Sequence, residues 1–173
     1  VNGQEDESLV KSFKKGDEGA FDRIFEKYHL SIYSICYRYT RNEADARDLT
    51  QEVFIRVYRN LPKFRMRSKL FTWLYRITVN TCLSFKRREC HFDPLPAALP
   101  NGHSLDREVI LKKAIDDALR KLPERQRMTF VLRHYEGYTF NEIGAIMGIS
   151  SGAAKANHYH AVRKLRTLLE SWL

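Results

Sequence analysis

The chain of 173 residues is short of cysteine, of long apolar runs and of phosphate-binding glycine loops, and each shortage excludes something. Its three cysteines, Cys36, Cys82 and Cys90, leave one unpaired in any disulfide scheme and lack the close paired spacing of a zinc site. They suit the reducing cytoplasm, which is the location expected. No stretch approaches the roughly 18–20 uninterrupted apolar residues that span a bilayer, so no membrane insertion is expected. Residues 1–8 are polar and acidic, without the apolar core of a signal peptide. No Gly-rich phosphate loop occurs, and no His, Cys or Asp constellation has catalytic or ligand spacing. An enzyme, a metal centre and a cofactor are therefore not expected. Period-2 alternation is missing as well, which leaves no place for a strand.

What the chain does have is positive charge, 30 Lys and Arg against 21 Asp and Glu, and it is unevenly placed. Residues 1–60 hold ten basic and eleven acidic groups. Residues 61–90 hold eight basic groups and only Glu89. A second acid-free cluster, Lys155, Arg163, Lys164 and Arg166, lies near the C-terminus. Two basic segments with interleaved aromatics point to nucleic acid more than to a solvated helix face.

Apolar periodicity makes the rest helical. Phe21, Ile24, Phe25, Tyr28, Ile32, Ile35, Cys36 and Tyr39 form one stripe at steps of three and four, with Asp17 as its expected N-cap. Asn42 is expected to cap a second helix that Pro62 closes. A third is expected from about Leu70 to Arg88, and a short one at Leu9–Phe13. Three of the five prolines fall in 91–105, which reads as a flexible linker. Helices are expected again at Asp106–Leu122, with Pro123 opening the next. The expected fold is all-α: two small helical bundles on a tether, with domains at 1–90 and 106–173.

Residues 139–166 carry the most specific local pattern. Thr139 and Glu142 have capping-box spacing before a short apolar helix, Gly148 stops it, and Ser150 or Ser151 starts a longer basic helix. That is a helix-turn-helix, whose second helix lies in the major groove of DNA. Its polar side offers Lys155, Asn157, Tyr159, His160, Arg163 and Lys164. Lys and Asn can read base edges, whereas Arg163 and Lys164 lie a turn later and suit phosphates. His158 falls on the apolar side by spacing and is expected to pack. The rival reading is a two-domain regulator that binds duplex DNA unaided, as a dimer.

Taken together, Asp48-Leu-Thr-Gln-Glu52, Phe64-Arg65, Phe71-Thr-Trp-Leu-Tyr-Arg-Ile-Thr-Val-Asn80, Leu122-Pro123 and the helix-turn-helix resemble, in order and spacing, bacterial sigma factors. The chain resembles the extracytoplasmic-function (ECF) group of the sigma-70 family from about Leu9 to Leu169. The resemblance implies a factor that binds core RNA polymerase, recognises −10 and −35 promoter elements and promotes opening. It implies docking by Asp48, Gln51, Glu52 and an exposed Phe54 on the clamp helices of the polymerase's largest subunit, with another subunit binding the C-terminal domain. It assigns the −10 element, including single-stranded DNA, to Lys63, Phe64, Arg65, Arg67, Ser68, Lys69, Arg76, Asn80, Lys86 and Arg87. The loop from Lys63 to Lys69 would capture a flipped base, with Phe64 as a wall. Trp73, spaced with Leu70 and Ile77, is expected in the core and not as a wedge. The −35 duplex falls to Lys155, Ala156, Asn157, Tyr159, His160, Arg163 and Lys164. Asn157 and His160 stand where many relatives carry basic residues, so the resemblance does not fix the −35 sequence. An anti-sigma factor is a further implied partner.

Overall fold

The computed structural model describes residues 2–85 and 104–170. They form eight α-helices with a 3-10 turn and a π-helical turn, and no strand occurs among the described residues. The first helix, α1, runs Asn2–Lys14, longer than the apolar pattern alone suggests, and α2 runs Gly19–Thr40. Asp17 does not cap α2. Glu18 enters with helical backbone angles and no side-chain cap, and the Asp17 carboxylate pairs instead with Arg23 at 3.2 Å. Helix α3, Glu43–Asn60, is capped as expected: the Asn42 side chain accepts from the Asp45 amide at 3.0 Å. Pro62 sits in the 3-10 turn Leu61–Lys63 that ends it. The chain then crosses a loop in which Met66 takes φ +53, and α4 runs Leu70–Ser84. The expected run of α4 to Arg88 is cut short, since Phe85 is already extended and the helix ends at Ser84. Residues 86–90, Cys90 among them, and all but the last two residues of the expected linker lie outside the described residues, and those two already lie in the next helix.

The second half contains α5 (Ser104–Arg120), α6 (Glu124–Phe130) continuing as a π turn (Val131–Tyr135), α7 (Phe140–Met147) and α8 (Ser151–Leu169). Pro123 stands one residue before α6 and not within it. The capping box is formed in full at the start of α7. Gly148 ends α7 at φ +67, and Ser150 caps α8 by accepting from the Ala153 amide at 3.1 Å. Gly144 is needed for the turn itself, because a Cβ there would sit 2.8 Å from the Ile149 carbonyl oxygen.

Val10 of α1, Ile24, Ile32 and Ile35 of α2, Val53 of α3 and Leu74 of α4 are fully buried in one core. Each contributes about 1.5–3 kcal/mol by leaving water. Cys36 and Cys82 are free thiols within that core, their sulfurs 3.9 Å apart.

The two halves are not held apart. Met128, Leu132, Ile143, Ile146, Met147 and Ala154 join the same apolar cluster as α1–α4, while a smaller cluster holds Ala118, Leu119, Leu122, Ala161 and Leu165. Polar links tie the same seam. The Ser34 hydroxyl donates to Glu136 at 2.9 Å, Arg127 donates to the Tyr39 carbonyl at 3.2 Å, and Arg41 pairs with Asp116. The Tyr138 ring lies 5.4 Å from Phe71 and 5.7 Å from Tyr75.

Candidate polymerase and promoter interfaces

Three surfaces collect the residues singled out by the sequence. The first lies on α2 and α3. Asp48 and Gln51 are exposed, and Glu52 is half-exposed, bonded to Arg56 one turn on at 2.6 Å. Phe54 is not the exposed aromatic that was expected. It is 6% exposed, because it shares the inward side of α3 with Val53 and Val57, and its ring meets Phe25 at 4.6 Å. The exposed apolar groups are its neighbours Ile55 and Tyr58, with Phe25 and Leu30 of α2. They line an apolar groove of about 560 Å³ beside Gln51. Ile55 and Tyr58 fall off the buried stripe of α3, so their exposure was readable from periodicity, although the sequence reading did not single them out.

The second surface surrounds the loop from Lys63 to Lys69. Lys63, Arg65, Arg67, Ser68 and Lys69 are all exposed. Phe64 is buried, stacked on Trp73 with ring centroids 4.7 Å apart, so Trp73 supports the loop from within as its spacing suggests. The Lys14 ammonium donates to the Phe64 carbonyl at 2.5 Å and pins the loop to α1. Below the loop is a cavity of about 890 Å³, walled in part by Phe64 and floored by Asp6, Lys27 and Tyr28. Tyr28 was expected only as part of the α2 stripe, and Asp6 and Lys27 were not singled out, since nothing local announces that α1 meets α2 beside the loop. Asn80 is exposed on α4. Arg76, also exposed, donates to the Ala145 carbonyl of α7 at 2.7 Å, so in this arrangement one of its donors faces protein. Lys86 and Arg87 lie outside the described residues.

The third surface is α8. Lys155, Ala156, Tyr159, His160, Arg163 and Lys164 are exposed, and Asn157 is half-buried. Ala154, Ala161 and Leu165 face inward. His158 packs, as its spacing implies, but with a partner the sequence did not reveal. It stacks on His134 of the π turn, with the two Nε2 atoms 2.9 Å apart. Burial, then the neighbouring charge of Arg133, holds His134 below the usual imidazole value; burial, His134 and Arg133 do the same for His158.

The family described as Sigma-70 region 2 matches residues 24–90, and Sigma-70, region 4 matches residues 112–165. The chain is 31% identical to the ECF RNA polymerase sigma factor SigW of Bacillus subtilis, over 92% of this chain and 94% of that one. It is also 31% identical to the ECF RNA polymerase sigma-E factor of Escherichia coli, over 90% of each. Its fold is similar to CnrH, solved in complex with the cytosolic domain of CnrY, at a TM-score of 0.72, 22% identity, and coverage of 96% and 98%. It is also similar to the sigma factor RpoE of Bartonella quintana, solved with the anti-sigma factor NepR, at a TM-score of 0.60 and 19% identity, covering 87% of this chain and 96% of that one. Two sigma regions in the right order, and relatives matched along nearly their whole length, place this chain in the extracytoplasmic-function group of the sigma-70 family, whose members are alternative sigma factors acting in transcription initiation.

Proposed function

We propose that the chain binds core RNA polymerase through the α2–α3 surface, reads the −10 element with the 63–69 loop and α4, and reads the −35 element with α8. Residues 1–90 and 106–173 act as the two reading domains, joined by 91–105. The observation that carries this reading is the exposed face of α8. A solvent-facing row of Lys155, Tyr159, His160 and Arg163 follows a fully capped helix and a tight Gly148 turn. That is the arrangement that seats a helix in a major groove. The groove that Gln51 lines sets apolar side chains beside the polar Arg47, Thr50 and Arg59, the anatomy of a specific protein interface. Clamp helices of the polymerase's largest subunit fit it, and so does an anti-sigma factor of the kind bound by the Bartonella protein. The working compartment is the cytoplasm.

The closed arrangement has to open for this work. Elements centred about 25 base pairs apart lie roughly 80 Å apart along B-DNA. A compact chain of this length has a radius of gyration of only about 16 Å. Segment 86–103 can reach at most about 60 Å when extended, enough with the domains' own dimensions to bridge the elements.

Co-migration with core enzyme tests the reading. The chain is expected to bind core and to hold promoter DNA tightly only in its company. Tight binding to free duplex with no binding to core would favour a stand-alone regulator.

A further inference from the structure

We propose that Lys14, at the end of α1, is a positioning residue for the 63–69 loop and sets the loop's shape before DNA arrives. This rests on the reading that the loop captures a base from the opened promoter strand, and it concerns what holds the loop ready to do so.

The loop has little to fix it from within. The Phe64 amide still donates to the Leu61 carbonyl of the 3-10 turn, at 3.1 Å. The next backbone bond, from the Trp73 amide to the Lys69 carbonyl at 3.2 Å, already belongs to α4. Among the described residues, Arg65, Met66, Arg67 and Ser68 make no backbone hydrogen bond between them. Met66 stands at φ +53, a left-handed conformation that is unfavourable for a residue with a Cβ and persists only where the surroundings hold it. Lys63, Arg65, Arg67 and Lys69 are all exposed and repel one another over this short span. Chain entropy, backbone strain and charge all work against a single loop shape.

What opposes them comes from other elements. The Phe64 ring is buried against Trp73, and the Met66 side chain packs on the core, so two side chains are anchored. The backbone is anchored by Lys14. Its ammonium donates to the Phe64 carbonyl at 2.5 Å, and among the described residues this is the one hydrogen bond that another element sends to the loop. A charged donor makes that bond stronger than a neutral one. The carbonyl belongs to the peptide through which the chain enters the loop. Fixing it sets the plane of the Phe64–Arg65 peptide, and with it the direction in which Arg65 and Met66 leave. Helix α1 is a firm base for this. Val10 is fully buried, and the Phe13 ring lies 5.5 Å from Tyr58 and 5.9 Å from Phe21. A loop set in advance loses less freedom when a base binds, so the base binds more tightly.

The test uses the full chain assembled with core polymerase. Two forked promoter DNAs are compared, one with a base at the unpaired position and one with an abasic nucleotide there. Competition binding gives the preference for the base. Lys14 is exposed at a helix end, so Lys14→Met should fold and co-migrate with core as before. Its preference for the base is expected to shrink roughly 3- to 10-fold, the effect of one partly exposed hydrogen bond. Lys14→Arg can still donate to the carbonyl and should restore most of it. The slope of log affinity against log salt should match that of the unaltered chain, because a lost phosphate contact would lower it by about 0.7 on a single strand. A preference unchanged in Lys14→Met, even with both DNAs bound more weakly, overturns the proposal, and so does a lowered slope. If the unaltered holoenzyme binds the two DNAs equally, the base-capture reading itself fails and the proposal falls with it.

Discussion

Tyr138→Ala should unlatch the two halves of the molecule. Tyr138 belongs to the turn before α7, where its amide donates to the Leu132 carbonyl and its own carbonyl accepts from Arg133 at 2.9 Å. Those bonds involve the backbone and survive the substitution. Its ring instead reaches across the seam to Phe71 and Tyr75 of α4. Truncating a half-buried ring with two aromatic partners costs about 2 kcal/mol. Because those partners lie on the other half, the cost falls on the closed state. A loss of that size shifts the ratio of closed to open chain roughly 30-fold. Small-angle scattering reads the result directly. The unaltered chain should give a radius of gyration of about 16 Å, and the variant a larger value. Where closure competes with holoenzyme formation, apparent affinity for core should rise in proportion to the open fraction. An unchanged radius and unchanged core affinity, with only a lower melting temperature, would refute the latch and leave Tyr138 as ordinary packing.

Lys155→Ala should weaken −35-dependent transcription by roughly 5- to 100-fold, the worth of one base contact, while core co-migration is kept; unchanged promoter activity would count against the recognition-helix assignment. Gly144→Ala forces a methyl to within 2.8 Å of a backbone oxygen and should cost about 1–3 kcal/mol, seen as a lower thermal midpoint and lost −35 binding. Ser150→Ala removes the cap of α8 and should cost about 1 kcal/mol by denaturant titration. His134 and His158 both have lowered folded pKa values, so the unfolded chain binds their protons more readily. Their contribution to stability should be present above the ordinary value of 6.5 and lost as pH falls through the lowered folded values. A pH series of melting curves checks this, and His158→Phe should flatten the slope; an equal slope in the variant would assign it to other groups.

Most of the secondary structure was legible because it is written in short-range rules. The capping residues Asn42, Thr139 and Ser150, the stop at Gly148, and the three-and-four stripe of α2 each act within a few residues of themselves. The solvent-facing row on α8 was legible for the same reason: a helix period decides which side chains face outward. The errors arose where a local rule met a distant partner. Asp17 had cap chemistry, but Arg23 takes its carboxylate while Glu18 continues the helix. Phe54 stood beside polar neighbours, yet the rings of Phe21 and Phe25 from α2 enclose it.

The sequence by itself determined an all-α chain, two helical groups, a basic loop and a basic recognition helix, since propensity, periodicity and charge are properties of neighbouring residues. Only the tertiary structure decided that α1 reaches the 63–69 loop, that His158 meets His134, and that the two groups close on one apolar cluster. Each of these joins residues that no helical repeat relates. Burial of Ile143, Ile146 and Met147 beside α4 depends on which faces find each other in space, and the order of residues along the chain does not specify that.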